Sequence, residues 1–387
     1  MADLMVAKNI RPPDRRLPIV GMLSNPVEWK DDPCGRTGFR TKVTRGMPAG
    51  VELLEIELSR ENLKLVSEKQ PVKCLKSDGG KILPISVPFQ EIGAIYDFYL
   101  YGEPSCGKEN DSFYLSMNQL LEKSGKPFID YLSMIELCGD KWKSHLAMEN
   151  LGVPVPKTKL YSAPAVESLL GNAGFVFLKK RMGYEGDGQI VLRREGTGYV
   201  ASNNGTKMKF ENVACLLSYL DGNSLDESWI AQEGKEVIRI DGRVLDFRVI
   251  FQRGCDGTLC ETATYARVGA EGAYQSNIGT APGKKGAADD PKRILADWST
   301  IKNGVISIGE QGVFAIETET GKLVGEIGVD IMLLKDGTLY FIEANTRLGH
   351  VGLTTLSEKI GGAWTAALQN YFIRPLEYAK WLMQRSS

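Results

Sequence analysis

Residues 325–347 constrain the fold of this chain more than any other stretch. They read Gly325-Glu-Ile-Gly-Val-Asp330, an apolar run, Asp336-Gly337, and then Phe341-Ile-Glu-Ala-Asn-Thr-Arg347. Asp-Gly between apolar runs is a two-residue hairpin signal, and the register it sets places Asp330 opposite Glu343 and Glu326 opposite Arg347. Cross-strand neighbours lie about 4.5–5.5 Å apart at Cβ, where like charges repel. Ile331, Met332, Leu333, Leu334, Leu339, Tyr340, Phe341 and Ile342 make both faces of the ribbon apolar. The two acids therefore sit in a low-dielectric setting and call for a cation or a shared proton. Asn345 shares a face with Glu343 and adds a third oxygen. Asp330, Glu343 and Asn345 thus form an oxygen set of the kind that takes Mg²⁺ beside phosphate. The Glu326–Arg347 pair is attractive and would aim the guanidinium at a ligand.

A chain of 387 residues is long enough for two or three compact units. Its net charge of −1 gives no broad basic field, so nucleic acid is not an expected partner. Seven scattered cysteines without a Cys-x-x-Cys pair argue for reduced thiols in a cytoplasm, against a disulfide frame or a zinc site. Residues 1–16 are charged and proline-bearing, and no stretch approaches bilayer-spanning length, so the expectation is a soluble, cytoplasmic protein with no membrane partner.

Three units are expected: an N-terminal α/β domain over 1–132, a second over 133–232 and a third over 233–387. In the first, strands are expected at 17–24, 94–101 and 127–131, with a helix over 113–123. A polar loop after the first strand holds Arg36, Arg40, Lys42 and Arg45; it reads as a solvated loop, with reception of an anionic substrate the sharper alternative. Ser133 and Glu136 have capping-box spacing, and Asp140 caps a helix over 141–150 that Gly152 and Pro154 end. Lys141 falls in the first turn of that helix, where backbone N–H groups already favour phosphate.

From residue 175 the chain turns to strands. Phe175-Val-Phe-Leu178 leads into Lys179-Lys-Arg-Met-Gly183-Tyr-Glu-Gly186-Asp-Gly188-Gln, and the apolar pattern resumes at Ile190. Strand, glycine loop, strand is the layout of a flap over phosphates, although a plain hairpin would read similarly. Asp241-Gly242 and Asp256-Gly257 predict two further two-residue turns. The second places Asp246 opposite Arg267 and Arg248 opposite Tyr265, gathering two guanidinium groups and a carboxylate on one face; a structural ion pair is the bland alternative. Residues 269–292, with Lys284 and Lys285, form a long polar loop. A final amphipathic helix over 364–384 is expected on the C-terminal sheet. His145 lies within a helix and reads as a packing residue, and His350 as a loop residue that touches substrate or holds structure.

In order, these pieces resemble the ATP-grasp superfamily: Lys141, Leu178-Lys179 before a glycine loop, the strand Trp229-Ile-Ala-Gln-Glu-Gly234, Asp246-Phe-Arg-Val249, and Asp330 with Glu343-Ala-Asn345. The resemblance covers roughly 134–350. The set Asp246-Phe-Arg-Val, Tyr265-Ala-Arg-Val-Gly269, Gly325-Glu-Ile-Gly-Val-Asp330 and Glu343-Ala-Asn-Thr-Arg347 is most similar to the spore-coat-associated ATP-grasp proteins of bacilli. The glycine loop is similar to that of carboxyaminoimidazole ribonucleotide synthetases, with one residue fewer after the lysine. The resemblance implies an α+β ATP-grasp fold, two subdomains gripping ATP, behind the small α/β domain. It implies that Lys141 and Lys179 contact the ATP phosphates, that Gly183, Gly186 and Gly188 form the flap, and that Gln232, Glu233 and Gly234 line the adenine edge. Asp330, Glu343 and Asn345 would hold one or two Mg²⁺ ions, and Arg248, Arg267 and Arg347 would face the transferred phosphate or a substrate carboxylate. Glu185 and Asp187 depart from the flap pattern, as does Lys180 where a proline usually follows the lysine. The implied activity is an ATP-dependent carboxylate–amine ligase acting on amino acids or short peptides through an acyl phosphate, in a possible homodimer. A small-molecule kinase and a non-catalytic ATP-binding coat or assembly protein are the alternatives.

Overall fold

The apolar runs form three sheets, and strands of the second and third line one cleft. The computed structural model describes residues 17–24, 45–78, 81–99, 108–183, 188–203, 206–223, 225–274, 276 and 286–385. The first sheet holds β1 (Ile19–Leu23), β2 (Glu52–Ile56), β3 (Val72–Asp78), β4 (Lys81–Val87) and β5 (Ile92–Asp97), ordered β4-β3-β2-β1-β5. β1 is apolar and buried along its whole length because it lies between β2 and β5, parallel to both. α1 (Arg60–Ser67) and α2 (Lys108–Lys123) accompany this sheet. The strand expected over 127–131 reduces to a single parallel bridge, Ile95↔Phe128, before the chain enters α3 (Leu132–Gly139). The expected Ser133 cap is also displaced: Tyr131 is the N-cap residue, which leaves Ser133 inside the first turn. Asp140 does cap α4 (Lys141–Asn150), its Oδ1 accepting from the N–H groups of Trp142 and Lys143 at 3.0 and 3.3 Å.

The second sheet is antiparallel throughout: β6 (Thr158–Leu160), β7 (Phe175–Lys180), β8 (Ile190–Glu195), β9 (Gly198–Asn203), β10 (Thr206–Phe210) and β11 (Trp229–Glu233), ordered β10-β9-β8-β7-β11-β6. Its period-2 alternation sends Val176, Leu178, Leu192 and Ala231 into a core with α5 (Ala163–Ala173) and α6 (Val213–Gly222). Phe177 and Lys179 therefore point to the other face, towards the cleft.

The third sheet runs β15-β14-β13-β16-β17 with β12 on the side of β13; the strands are β12 (Arg239–Ile240), β13 (Arg243–Arg253), β14 (Leu259–Val268), β15 (Ala287–Asp289), β16 (Glu326–Leu333) and β17 (Leu339–Asn345). Three Asp-Gly turns connect it, and they do not all behave alike. Asp241-Gly242 makes the expected two-residue turn, both residues at positive φ (+49° and +75°), with Ile240 paired to Arg243. The other two loops are one residue longer than expected. Leaving them, Arg253 pairs with Leu259 and Leu333 with Leu339, with Gly257 and Gly337 in the left-handed region. A one-residue bulge then corrects each ladder, at Thr262 and at Ile342. Beyond the bulges the anticipated partners stand opposite one another: Asp246↔Arg267, Arg248↔Tyr265 and Asp330↔Glu343.

The polar stretch 269–292 is not one continuous loop, since β15 and the start of α7 (Pro291–Ile294) lie within it; Lys284 and Lys285 fall outside the described residues, as do Arg36, Arg40 and Lys42. α8 (Trp298–Thr320) covers the third sheet, and α9 (Val351–Ile360) follows β17. The last helix, α10 (Ala363–Arg385), packs more widely than expected. Tyr371 and Phe372 join Ile250, Ala263 and Leu353 on the third sheet, whereas Leu376, Tyr378 and Ala379 pack with Val20, Met22 and Tyr96 of the first. Cys74, Cys138, Cys215, Cys255 and Cys260 are free thiols, and Cys34 and Cys106 lie outside the described residues. No helix among the described residues is long and apolar enough to cross a membrane.

Candidate active site

Asp140 and Arg181 set the corner from which the site is built. Arg181, just past β7, donates to Asp140 Oδ2 at 2.6 Å, and the Lys141 N–H bonds the Arg181 carbonyl at 3.0 Å, so the start of α4 is fastened to the end of β7. That contact brings Lys141 and Lys179 into one cleft. The cleft encloses about 450 Å³, part of it open to solvent, between α3, α4, β11 and β17, and its polar lining includes Lys141, Lys179, Gln232 and Glu343. Lys141 Nζ donates to the Gly183 carbonyl. Lys179 Nζ donates to Gln232 Oε1 at 2.8 Å, and Gln232 Nε2 donates to Thr158 Oγ1 at 3.0 Å. Burial pushes Lys179 down to about 8, against the attraction of Glu343 and with the help of Lys141. Burial lowers Lys141 too, again opposed by Glu343. Two cations and one carboxylate thus face a partly dry space, an arrangement that gains from a polyanion.

The remaining residues singled out by sequence divide into those near this cleft and those elsewhere. Glu233 Oε1 accepts from the Lys157 N–H and from Lys235 Nζ, each at 2.8 Å. The Gly234 N–H bonds the Phe175 carbonyl at 2.9 Å, and a Cβ there would stand 1.9 Å from Phe175 ring carbons, so only glycine fits. Both residues sit at the exit of β11, behind the cleft lining. Gly183 and Gly188 border residues 184–187, which fall outside the described residues and include Gly186; Gly188 has φ +70°.

Asp330 is fully buried and lies in an alternating ladder of charges across β14, β13 and β16. Arg267 clasps Asp246 with two bonds of 2.7 Å and reaches Asp330 Oδ2 at 2.8 Å. Arg248 donates to both Asp330 oxygens, the Nη2 bond being 2.9 Å. Burial works to raise the Asp330 pKa, but Arg248 and Arg267 outweigh it and hold the carboxylate below its usual range. The crowding of Asp330 and Glu343 is therefore relieved by guanidinium and ammonium groups on the protein itself. Among the described residues no group of three or more His, Cys, Asp or Glu is arranged to hold a metal. Glu343 and Asn345 nevertheless fit a hard cation as oxygen donors two residues apart on one strand face, linked by a 3.4 Å bond. Asp330 already accepts three guanidinium bonds, which leaves it roughly one of about four lone-pair positions.

Arg347 stands apart from this ladder, and the expected Glu326–Arg347 pairing gives way to other bonds. Strand pairing ends at Gly328↔Asn345, and the Arg347 side chain turns to the first sheet, bonding the Tyr99 carbonyl and Asp97 Oδ1 at 2.8 Å each. Glu326 accepts instead from Tyr96 Oη and from Gln252 Nε2. His350 is the N-cap residue of α9, its Nδ1 2.9 Å from Thr354 Oγ1 and its ring against Phe372. Sequence reasoning missed Cys138, Ser144 and His145 as cleft-lining groups. For His145 the signal was present: it follows Lys141 by four residues and so shares its helix face.

A family model for the YheC/D-like ATP-grasp domain matches residues 134–382. The endospore coat-associated protein YheD of Bacillus subtilis (strain 168) is 22% identical over 222 residues, which are 54% of this chain and 48% of that protein. The chain thus spans about half the length of this curated relative. Among solved structures, the VanG D-Ala:D-Ser ligase of Enterococcus faecalis superposes with a TM-score of 0.54 at 12% identity, covering 96% of this chain and all of that one. The N5-carboxyaminoimidazole synthetase of Staphylococcus aureus in complex with ADP gives 0.53 at 11% identity, covering 93% and 78%. At such identities the structural likeness shows a shared fold, whereas the family model spans well over half of the sequence, from α3 through α10. The fastening of α4 to β7, the glycine-bearing stretch after β7 and the acid-bearing β16–β17 hairpin all fall within that span, and the chain belongs to the YheC/D-like ATP-grasp family.

Proposed function

We propose that this protein is an ATP-dependent carboxylate–amine ligase acting on small molecules, amino acids or short peptides. The observation that carries the reading is the convergence of Lys141 and Lys179 on Glu343 within a single cleft. In the S. aureus relative the bound nucleotide is ADP. Lys141 and Lys179 would neutralise the ATP phosphates, with the backbone around Gly183 and Gly188 beside them. A magnesium ion would be held by Glu343 and Asn345, with Asp330 adjoining, and would supply charge neutralisation between phosphate oxygens.

Arg248 and Arg267 fit the site of phosphoryl transfer. Their guanidinium groups are fixed by Asp330 and Asp246 and need no reorganisation as charge develops. In the proposed reaction a substrate carboxylate oxygen attacks the γ-phosphorus and ADP departs. The amine then attacks the acyl carbon, loses a proton and expels phosphate. Positioning and electrostatics account for this chemistry without a nucleophilic side chain. Arg347, bonded to Asp97, fits a role in holding the first sheet against the site.

The test is a screen of amino acids and short peptides for ADP release, with mass spectrometry of the products. Glu343→Gln should lower turnover by at least about a hundredfold while leaving the melting temperature within a few degrees of wild type. Wild-type turnover in that variant would defeat the proposal, and a phosphorylated product without an amide would replace it with a kinase.

A further inference from the structure

One buried group in the cleft has no role in the scheme above. His145 lies on α4 one turn beyond Lys141, about 6 Å further along the helix axis. Its side chain is 5% exposed, and neither ring nitrogen has a hydrogen-bond partner among the described residues. Glu149 Oε2 lies 3.7 Å from Nε2, beyond hydrogen-bond reach. Trp142 packs against the ring at 5.7 Å between centroids and fixes its plane. Burial lowers the imidazole pKa, with Glu149 pulling the other way, so the ring is neutral near pH 7. A neutral imidazole offers one donor and one acceptor, and leaving both unused in a buried position is costly.

The surroundings say what would use them. Lys141, Lys179 and Glu343 make the cleft's charged part. Val155, Pro156, Ile230, Phe341 and Ile342 supply an apolar lining in the same cleft. Phosphates belong with the former and a flat heteroaromatic ring with the latter.

We propose that His145 hydrogen-bonds the purine base of the nucleotide and so selects it, a contact that rests on the ATP-binding reading of this cleft. One ring nitrogen of the neutral imidazole, as donor or acceptor, meets the base edge, while the apolar lining covers the faces of the base.

Direct nucleotide binding by calorimetry tests this without recourse to turnover. His145→Phe keeps a planar ring and removes both nitrogens; His145→Gln restores a donor and an acceptor. The expected result is a loss of about tenfold in ATP affinity for the Phe variant. Binding of tripolyphosphate, which has no base, should be unchanged, 2′-deoxy-ATP should suffer the same loss as ATP, and the Gln variant should recover most of the affinity. Equal losses for ATP and tripolyphosphate would overturn the assignment in favour of a role through Lys141. A loss that disappears with 2′-deoxy-ATP would move the contact to the ribose, and unchanged ATP binding in the Phe variant would leave His145 as packing. Failure of the wild-type protein to bind ATP at all would sink the nucleotide reading and this inference together, whereas the preceding outcomes sink this inference alone.

Discussion

Lys179 answers to two opposing demands. Its place on the cleft face of β7 takes its ammonium out of water, and its task near a polyanion requires the charge. With a pKa of about 8 in the free protein, it is roughly half protonated at pH 8. A bound triphosphate favours the charged form, so binding at pH 8 should take up roughly half a proton, and affinity should fall as pH rises through that value. Burial lowers Lys141 in the same direction, opposed by Glu343 and Asp140. Calorimetry in two buffers of different ionisation enthalpy reads the uptake, which Lys179→Met should largely remove. No uptake by the wild type at pH 8 would show that the lysine is already fully charged. Glu343 has the complementary role, because its carboxylate raises both lysines against the burial that lowers them.

At the scale of elements, the approach of α8 to the third sheet decides how firmly β17 presents Glu343. Gly309 and Gly312 make that approach possible. A Cβ at 309 would lie 2.6 Å from the Phe251 ring and one at 312 would lie 2.7 Å from that of Phe341, two residues before Glu343. Gly312→Ala gains about 1 kcal/mol of helix propensity but overpacks a buried ring, which costs about 1–3 kcal/mol, so net destabilisation is expected. A denaturation midpoint equal to or above that of wild type would contradict it. The two bulges act at the same scale. Each takes up the extra residue of a longer turn, and without them every partner beyond would be displaced by one position and face the wrong side.

Across the molecule, the seam between the first and third sheets is made of buried polar groups rather than apolar contact alone. Asp97 receives bonds from Arg347, Tyr114 and Asn118. Asp130 Oδ1 accepts from the N–H groups of Gly325 and Glu326 at 2.9 and 3.2 Å. Burial first, and then the charge of Glu326, pushes Asp130 up to about 8. The unfolded chain releases this proton near pH 4 and the native protein holds it to about pH 8, so in that window the native state binds more protons. Stability contributed by Asp130 is therefore complete below pH 4 and is lost as pH climbs to 8. Asp130→Asn keeps the Oδ1 acceptor and abolishes the titration. Relative to wild type it should gain on the order of 5 kcal/mol between pH 4 and pH 8, measured by chemical denaturation. A difference between the two proteins that stays constant with pH would refute this. α10 closes the same seam from outside by packing on both sheets.

Local rules alone make much of the third sheet legible in the sequence. Alternating apolar residues and Asp-Gly pairs determine hairpins, and acids or arginines in mid-strand must find partners. The pairings Asp330↔Glu343 and Asp246↔Arg267 match that rule only because a bulge in each ladder takes up the extra residue of its turn. Asp140 as a cap and Lys141 in the first turn of α4 follow equally from local geometry. What no local rule contains is which partner a buried charge finds when several are in reach. Asp330 is neutralised by Arg248 and Arg267, and Arg347 turns to Asp97, more than two hundred residues away in sequence. That His145 lines the cleft follows only from the way α3, β11 and β17 meet α4. Chain connectivity fixes elements and registers, whereas the balance of charge in a dry interior depends on every group brought within a few ångströms, and that is settled only when the sheets come together.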